Sequence, residues 1–98
     1  MAIITWSRQS LEDLEALRAF IARNSPNLAG KFVEKIISSV RSLERFPYSG
    51  AIVPEFNRED TREIVRGPYR VIYRASENLI LVLAVYHSAR LLDESCLQ

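Results

Sequence analysis

The sequence predicts an α+β domain in which a helical hairpin packs against a mostly antiparallel sheet. Two consecutive segments in the first half of the chain repeat apolar residues at helical spacing. Three β-prone segments follow in the second half, and a short β-prone run precedes the first helix. The expected order is therefore an N-terminal strand, two helices and a three-stranded antiparallel sheet. With 98 residues and no linker or repeat, the chain is expected to form one domain, residues 1–98.

The N-terminal strand and the first helix are predicted from residues 3–21. Residues 3–6 (IITW) are β-prone, and either Ser7 or Ser10 can cap the helix that follows. The helical pattern continues for roughly four turns. Its apolar positions recur three or four residues apart, at Leu11, Leu14, Leu17 and Ile21.

The second helix is predicted to begin at Pro26, because Ser25 is a favourable N-cap residue and proline suits the first helical position. It is expected to run to about Phe46, where residues 46–50 (FPYSG) stop it. The link between the helices is so short that they should form an antiparallel hairpin. The apolar positions of the second helix are Phe32, Val33, Ile36, Ile37, Val40 and Leu43.

Three strands are predicted after a loop over residues 51–60. They span residues 61–66, 69–75 and 79–87, and Gly67-Pro68 and the turn at residues 76–78 separate them. The last strand is almost continuously apolar, which predicts a central position in the sheet.

Composition and charge exclude several classes of protein. The formal net charge is +1, so the overall electrostatics do not indicate a nucleic-acid-binding protein. The single Cys96 permits no internal disulfide, which favours a reducing cytoplasm. The N-terminus has no signal-peptide pattern, and the longest apolar run, residues 79–86, is too short to cross a bilayer. One histidine and one cysteine do not favour a zinc site, and neither a metal nor a cofactor is expected.

Positive charge is concentrated between residues 62 and 90. This segment holds five arginines against two acids, whereas the whole chain has only two lysines, Lys31 and Lys35. Guanidinium groups suit planar, bidentate contacts with phosphate or carboxylate. The alternative is that the arginines cover a solvated sheet face and pair with nearby acids. Contacts with a target or a phosphate are expected at Arg62, Arg66, Arg74 and Arg90.

Alternation along residues 69–75 divides the side chains of this strand between two faces. A tight turn at Gly67-Pro68 would bring these arginines together with those of the preceding strand in one of the two pairing registers, and the register stays open. The two groups are Tyr69, Val71 and Tyr73 on one face and Arg70, Ile72 and Arg74 on the other.

Glu55, Arg70 and His87 together would suit RNA cleavage by internal transphosphorylation. That reaction needs a base for the 2′-hydroxyl, an acid for the leaving oxygen and cations on the pentavalent phosphate. Glu55 or His87 would transfer protons, and Arg70 with Arg62 would hold the phosphate. The alternatives are an ordinary loop carboxylate at Glu55 and a hydrogen-bonded strand-end histidine at His87.

Seven short motifs are spread along nearly the whole chain: residues 6–7 (WS), 11–14 (LEDL), 43–47 (LERFP), 54–55 (PE), 62–63 (RE), 69–74 (YRVIYR) and 87–90 (HSAR). In this order and spacing they resemble the RelE/ParE superfamily of type II toxin–antitoxin toxins, also known as plasmid stabilisation proteins. The resemblance implies a helical hairpin on an antiparallel sheet, with the active or target-binding region on the sheet side. It also implies a cognate antitoxin whose tail wraps the toxin.

Two activities divide this superfamily. RelE-like members cleave mRNA, usually on the ribosome, and their Glu, Arg and His match Glu55, Arg70 and His87 here. ParE-like members inhibit DNA gyrase and are not known as nucleases. The near-neutral charge and the absence of lysine after Lys35 disfavour binding to the ribosome, whereas the long second helix and the pattern of Phe46-Pro47, Gly50 and Pro54-Glu55 look more like ParE. The Glu, Arg and His positions occur in both branches and do not choose between them. The resemblance therefore implies a gyrase inhibitor, with a ribosome-dependent endoribonuclease or an inactive antitoxin-binding homologue as alternatives. Only the endoribonuclease would be an enzyme.

Overall fold

The computed structural model describes residues 1–87, so the site predicted at Arg90 lies outside the described residues. The helical hairpin lies against one face of a mixed sheet, which confirms the predicted α+β class. A short 3-10 helix, Ser42–Glu44, follows the second helix. The elements are β1 (Ile3–Trp6), α1 (Arg8–Ala22), α2 (Pro26–Arg41), β2 (Ala51–Ile52), β3 (Thr61–Arg66), β4 (Tyr69–Ala75) and β5 (Leu79–His87).

The sheet has five strands within residues 1–87, in the order β1-β5-β4-β3-β2. β1 joins this sheet in parallel beside β5, and the other neighbours are antiparallel. The prediction of three strands in the sheet was therefore wrong, because the N-terminal strand and β2 belong to it as well. The apolar β5 lies between β1 and β4, as its composition predicted.

Two predicted boundaries were wrong. The second helix ends at Arg41 rather than near Phe46, and a 3-10 turn continues the apolar pattern as far as the fully buried Leu43. The predicted loop over residues 51–60 contains β2, which pairs with Arg62 and Glu63 of β3. A two-residue strand with both side chains exposed has no alternation that could reveal it in the sequence.

Helix α1 begins directly after β1, at the point beyond which β5 has no partner strand on that side. The Ser7 hydroxyl accepts the N–H of Ser10 at 3.1 Å and donates to the carbonyl of Leu83 at 3.0 Å. Of the two candidate caps, Ser7 therefore caps the helix. One turn later, Asp13 accepts the N–H of Val85 at 2.9 Å. These bonds satisfy backbone groups of β5 that β1 does not reach.

The main core lies between the helical hairpin and one face of the sheet, here called the helix face. A smaller apolar cluster lies on the opposite face, here called the outer face, where the segment after β2 covers the sheet. The main core contains Leu14, Leu17, Ile36, Val40, Leu43, Ile64, Val71, Tyr73, Ile80, Val82 and Val85. The outer cluster contains Val53, Ile72 and Leu83, with Phe56, Leu81 and Tyr86 packed against it.

Tyr73 ties the segment before β2 to the core. Its ring is fully buried, and its hydroxyl accepts the N–H of Gly50 at 2.9 Å. Burial raises the pKa of the Tyr73 phenol, so the group stays protonated. A Cβ at position 50 would lie 2.5 Å from the Tyr73 hydroxyl and 2.6 Å from the carbonyl oxygen of Glu63. Only glycine fits there.

We therefore expect Gly50→Ala to lower the free energy of unfolding by about 1–3 kcal/mol, because the methyl group displaces Tyr73 or β3. Gly30→Ala is the matched control, since that position lies inside α2 with no atom within 4 Å of the added Cβ. The control should gain about 0.5–1 kcal/mol from helix propensity. Urea unfolding followed by circular dichroism measures both, and a Gly50→Ala protein as stable as wild type would contradict the expected crowding.

Candidate functional site

Arg70 is the centre of the outer face. It lies on β4, opposite Val65 of β3 and Tyr86 of β5. Its side chain points away from the helices, as alternation along the strand predicted, and the residue is only 7% exposed. A guanidinium group this deeply buried requires anionic partners.

Two carboxylates supply those partners. The terminal nitrogens of Arg70 donate to the two oxygens of Glu55 at 2.7 Å and 2.9 Å, a bidentate pair. The Nε of Arg70 donates to Glu63 at 2.5 Å. Both carboxylates are themselves largely buried. All three nitrogens of Arg70 are therefore engaged with protein carboxylates.

Local structure places Glu55 above the sheet. It lies in a tight turn where the carbonyl of Val53 accepts the N–H groups of Phe56 at 3.1 Å and Asn57 at 2.9 Å. Asn57 has a φ of +50°, a left-handed conformation that asparagine tolerates better than most residues. Val53 is fully buried against Ile72, which anchors the turn to the outer face. Glu63 needs no such device, because it lies on β3 opposite Ile72.

The three side chains form a cluster with a formal charge of −1. The hydrogen bonds that Arg70 donates to Glu55, and then the one to Glu63, raise the pKa of Arg70 despite its burial, so the guanidinium is permanently charged. A phosphate approaching Arg70 would meet two carboxylates that already hold the guanidinium. Among the described residues, this arrangement engages the guanidinium within the protein and places two carboxylates beside it.

His87 lies on the other face of the sheet. It pairs with Tyr69 across β4 and β5, and the two rings meet edge to face with centroids 5.7 Å apart. Tyr69 in turn packs against Phe32 of α2, at a centroid distance of 5.5 Å. The structure therefore brings Glu55 and Arg70 together and leaves His87 on the helix face.

A β-bulge in β5 causes this separation. Ile72 pairs with Ala84 but Tyr73 pairs with Val82, so Leu83 is an extra residue in β5. The bulge reverses the alternation along the strand, and both Val82 and Val85 enter the main core. Beyond it, Tyr86 faces outward with Arg70.

Arg62 and Arg66 are not on the face of Arg70. The turn at Gly67-Pro68, where Gly67 has a φ of +57°, pairs Arg66 with Tyr69 and Arg62 with Tyr73. The arginines of the two strands therefore lie on opposite faces.

Both of these arginines contact the protein itself. Arg62 donates to the backbone carbonyls of Glu59, Tyr48 and Gly50 at 2.9–3.1 Å, and its guanidinium lies 5.3 Å from the centroid of the Tyr48 ring. Arg66 donates to the Ser39 hydroxyl at 2.6 Å and to the carbonyl of Val65 at 2.7 Å.

Arg74 is on the outer face with Arg70, four residues further along β4. It pairs with Thr61 and Leu81, and within residues 1–87 its ion-pair partner is Asp60, 4.0 Å from its Nε. It remains a candidate for binding a target.

Sequence reasoning missed the roles of Glu63, Asp60 and Arg58. Glu63 carried one signal, an acid within an arginine-rich strand, but its pairing with Arg70 depends on the register across Gly67-Pro68. Asp60 and Arg58 lie in an irregular segment, where periodicity gives no information.

An apolar groove of about 400 Å³ opens on the helix side, where the end of α1 and the start of α2 meet the β3–β4 turn. Phe32 and Tyr69 form its aromatic wall, and Leu28 is 58% exposed at its rim. Both lysines of the chain, Lys31 and Lys35, lie beside it. The groove therefore combines an apolar floor with a positively charged rim.

Within residues 1–87, no three His, Cys, Asp or Glu side chains are grouped so that they could hold a metal ion. In the same part of the chain, no helix is long and apolar enough to cross a membrane.

We expect Arg70→Met to lower the free energy of unfolding by about 3–5 kcal/mol, because it leaves two carboxylates buried without their cation. The triple variant Glu55→Gln, Glu63→Gln and Arg70→Met removes all three charges and should recover most of that loss. Thermal and urea unfolding measure both proteins. If the single and triple variants were equally unstable, the loss would come from packing rather than from the ion cluster.

Comparisons with known proteins agree with this fold. Residues 4–92 match the family described as the ParE toxin of the type II toxin–antitoxin system parDE. The chain is 30% identical over 91 residues to a Caulobacter vibrioides protein named Toxin RelE2, covering 93% of this chain and all of that protein. It is 31% identical over 87 residues to the putative toxin Y4kP of Sinorhizobium fredii, covering 87% and 86% of the two chains.

Two solved structures share the fold. One is from the chromosomal ParDE toxin–antitoxin system of P. aeruginosa, with a TM-score of 0.71, 24% identity and coverage of 89% of this chain and 96% of that chain. The other is from the toxin–antitoxin complex RelBE2 of Mycobacterium tuberculosis, with a TM-score of 0.62, 22% identity and coverage of 88% and 96%. The chain therefore belongs to the ParE toxin family of type II toxin–antitoxin systems, within the RelE/ParE superfamily.

Proposed function

We propose that this chain is a growth-inhibiting toxin that a cognate antitoxin neutralises, and that it inhibits DNA gyrase rather than cutting RNA. The match to the ParE family supports the first part. The observation that carries the second part is the state of Arg70, whose three nitrogens are engaged with Glu55 and Glu63.

Cleavage by transphosphorylation requires a cation aimed at the phosphorus and proton-transfer groups on the same side of it. Arg70 is aimed at carboxylates, and the cluster around it is negative. His87 lies across the sheet beside Tyr69. Arg62 holds three backbone carbonyls instead of facing Arg70. These placements disfavour a nuclease site built from the four residues.

The runner-up is a RelE-like endoribonuclease. Two observations favour it: Glu55 and Arg70 are adjacent on one surface, and one relative carries the name RelE2. In that case His87 would act apart from them. An inactive homologue that only binds the antitoxin is the third candidate.

Induced expression separates the three functions. We expect the toxin alone to stop growth, and purified toxin to inhibit supercoiling by gyrase while cellular mRNA stays intact. His87→Gln should remain toxic, because toxicity by gyrase inhibition does not require a nuclease reaction in which this exposed side chain on the helix face would take part. Rapid mRNA cleavage that His87→Gln abolishes would instead establish the endoribonuclease. Normal growth with folded toxin present would identify the inactive homologue.

We further propose that an amphipathic, acidic segment of the antitoxin occupies the groove between the hairpin and the β3–β4 turn. The groove has apolar walls for the apolar side of such a segment and Lys31 and Lys35 for its acids. Both solved relatives come from toxin–antitoxin systems.

Lys35→Glu should weaken antitoxin binding about tenfold, chiefly at low salt, because it reverses a charge on the groove rim. Arg45→Glu is the matched control, an equal change of charge at an exposed residue outside the groove. Calorimetric titration of each variant with the antitoxin measures the affinity. Equal weakening by the two variants would indicate a general charge effect and contradict the proposed groove.

A further inference from the structure

The corner of the outer face formed by Arg58, Asp60 and Arg74 has a surplus of positive charge. Arg58 donates to both oxygens of Asp60, at 3.2 Å and 3.0 Å. The hydroxyl of Thr61 donates to the same carboxylate at 3.0 Å. Asp60 is thus already bound on both oxygens, and the corner carries a formal charge of +1.

Arg74 is the group without a full partner in this corner. Its Nε is 4.0 Å from Asp60, beyond hydrogen-bonding distance. That nitrogen is buried and has no acceptor among residues 1–87. A buried donor that lacks an acceptor destabilises the protein until one is supplied. The rest of the guanidinium group is reachable, since the side chain is 37% exposed.

Asp60 does not become available to Arg74 by protonation. Burial raises the pKa of this carboxyl, but the hydrogen bonds from Arg58 and Thr61 outweigh burial and hold the pKa below its usual range. The carboxylate therefore stays charged and bound to Arg58 at neutral pH. A hydrogen-bond acceptor for the Nε of Arg74 therefore has to be a group other than Asp60.

The two arginines of β4 have opposite charge balances. Arg70 has two carboxylates around one guanidinium, whereas Arg58 and Arg74 share one carboxylate. The two strand positions are roughly 13 Å apart, at about 3.3 Å per residue. Counted over the described residues, acids therefore outnumber bases at the Arg70 end of β4, and bases outnumber acids at the Arg74 end.

We propose that the Arg58–Arg74 corner receives a single carboxylate of the antitoxin. This inference rests on the proposed function, which supplies that partner. A carboxylate would satisfy Nε of Arg74 and balance the surplus charge. Leu81, opposite Arg74 on β5, would give the same partner segment an apolar contact.

A nucleic-acid backbone fits this corner poorly. Phosphates recur at every nucleotide and require a row of cations. Among the described residues, the outer face next to this corner carries the carboxylates of Glu55 and Glu63, which would repel the next phosphates. A protein segment with one acidic side chain avoids that repulsion.

The test uses the purified toxin and its antitoxin. Arg74→Gln should weaken antitoxin binding about tenfold to a hundredfold, as expected for the loss of a charge-assisted hydrogen bond, and should reduce the dependence on salt. Arg45→Gln is the control, because this exposed arginine belongs neither to the corner nor to the lining of the groove. Circular dichroism verifies that both variants fold.

A second measurement identifies the acid. Each Asp and Glu of the antitoxin is changed to Lys and titrated against Arg74→Glu toxin, and restored affinity at one position would identify the partner carboxylate. Wild-type affinity of Arg74→Gln would overturn the proposal. The proposal would also be overturned if Arg74→Gln lost gyrase inhibition, or binding of a single-stranded RNA oligonucleotide, while keeping its affinity for the antitoxin.

The inference and the proposed function fail separately. If wild-type toxin does not inhibit gyrase but Arg74→Gln still weakens antitoxin binding, the corner stands and the gyrase target is wrong. If wild-type toxin inhibits gyrase and Arg74→Gln binds the antitoxin normally, the target stands and the corner is wrong.

Discussion

The ion cluster of Arg70 with Glu55 and Glu63 holds the outer face together. It ties the turn after β2 to strands β3 and β4, in addition to the backbone pairing of these two strands and the small apolar cluster under the turn. Removing one charge from such a buried cluster is costly, because the others lose their compensation. The position of the turn over Ile72 therefore depends on the cluster. This turn also limits what can approach the sheet from the outer face. The same three side chains therefore hold this turn over the sheet and determine the charge of this part of the outer face.

Charge balance, rather than the number of arginines, decides what this surface can bind. A count of residues 62–90 gives an excess of guanidinium groups and suggests a phosphate site. In the fold, Arg62 is used by backbone carbonyls and Arg70 by carboxylates. On the outer face of residues 1–87, a surplus of positive charge lies where Arg74 shares Asp60 with Arg58. A single cation beside apolar side chains suits a protein segment better than a nucleic-acid backbone, which requires a row of cations.

Periodicity predicted the helices, the three C-terminal strands and the orientation of Arg70, because local alternation and helical spacing reflect burial directly. Periodicity could not predict the register between neighbouring strands. The Arg66–Tyr69 register separates the arginine faces, and it depends on the conformation of Gly67, for which the sequence allows more than one turn. Glu63 was missed for the same reason: its partner is seven residues away, across that turn. Strand β2 was missed because two exposed residues carry no pattern.

The bulge at Leu83 determines which face of the sheet His87 occupies. Without the extra residue, alternation from Val82 would direct Tyr86 toward the helices and His87 toward the outer face. His87 would then lie on the same face as Arg70, as the transphosphorylation hypothesis requires. With the bulge, the histidine joins Tyr69 on the helix face. The same set of residue types thus gives a nuclease-like grouping in one register and a divided set in the other, so residue identity alone cannot assign the activity within this fold.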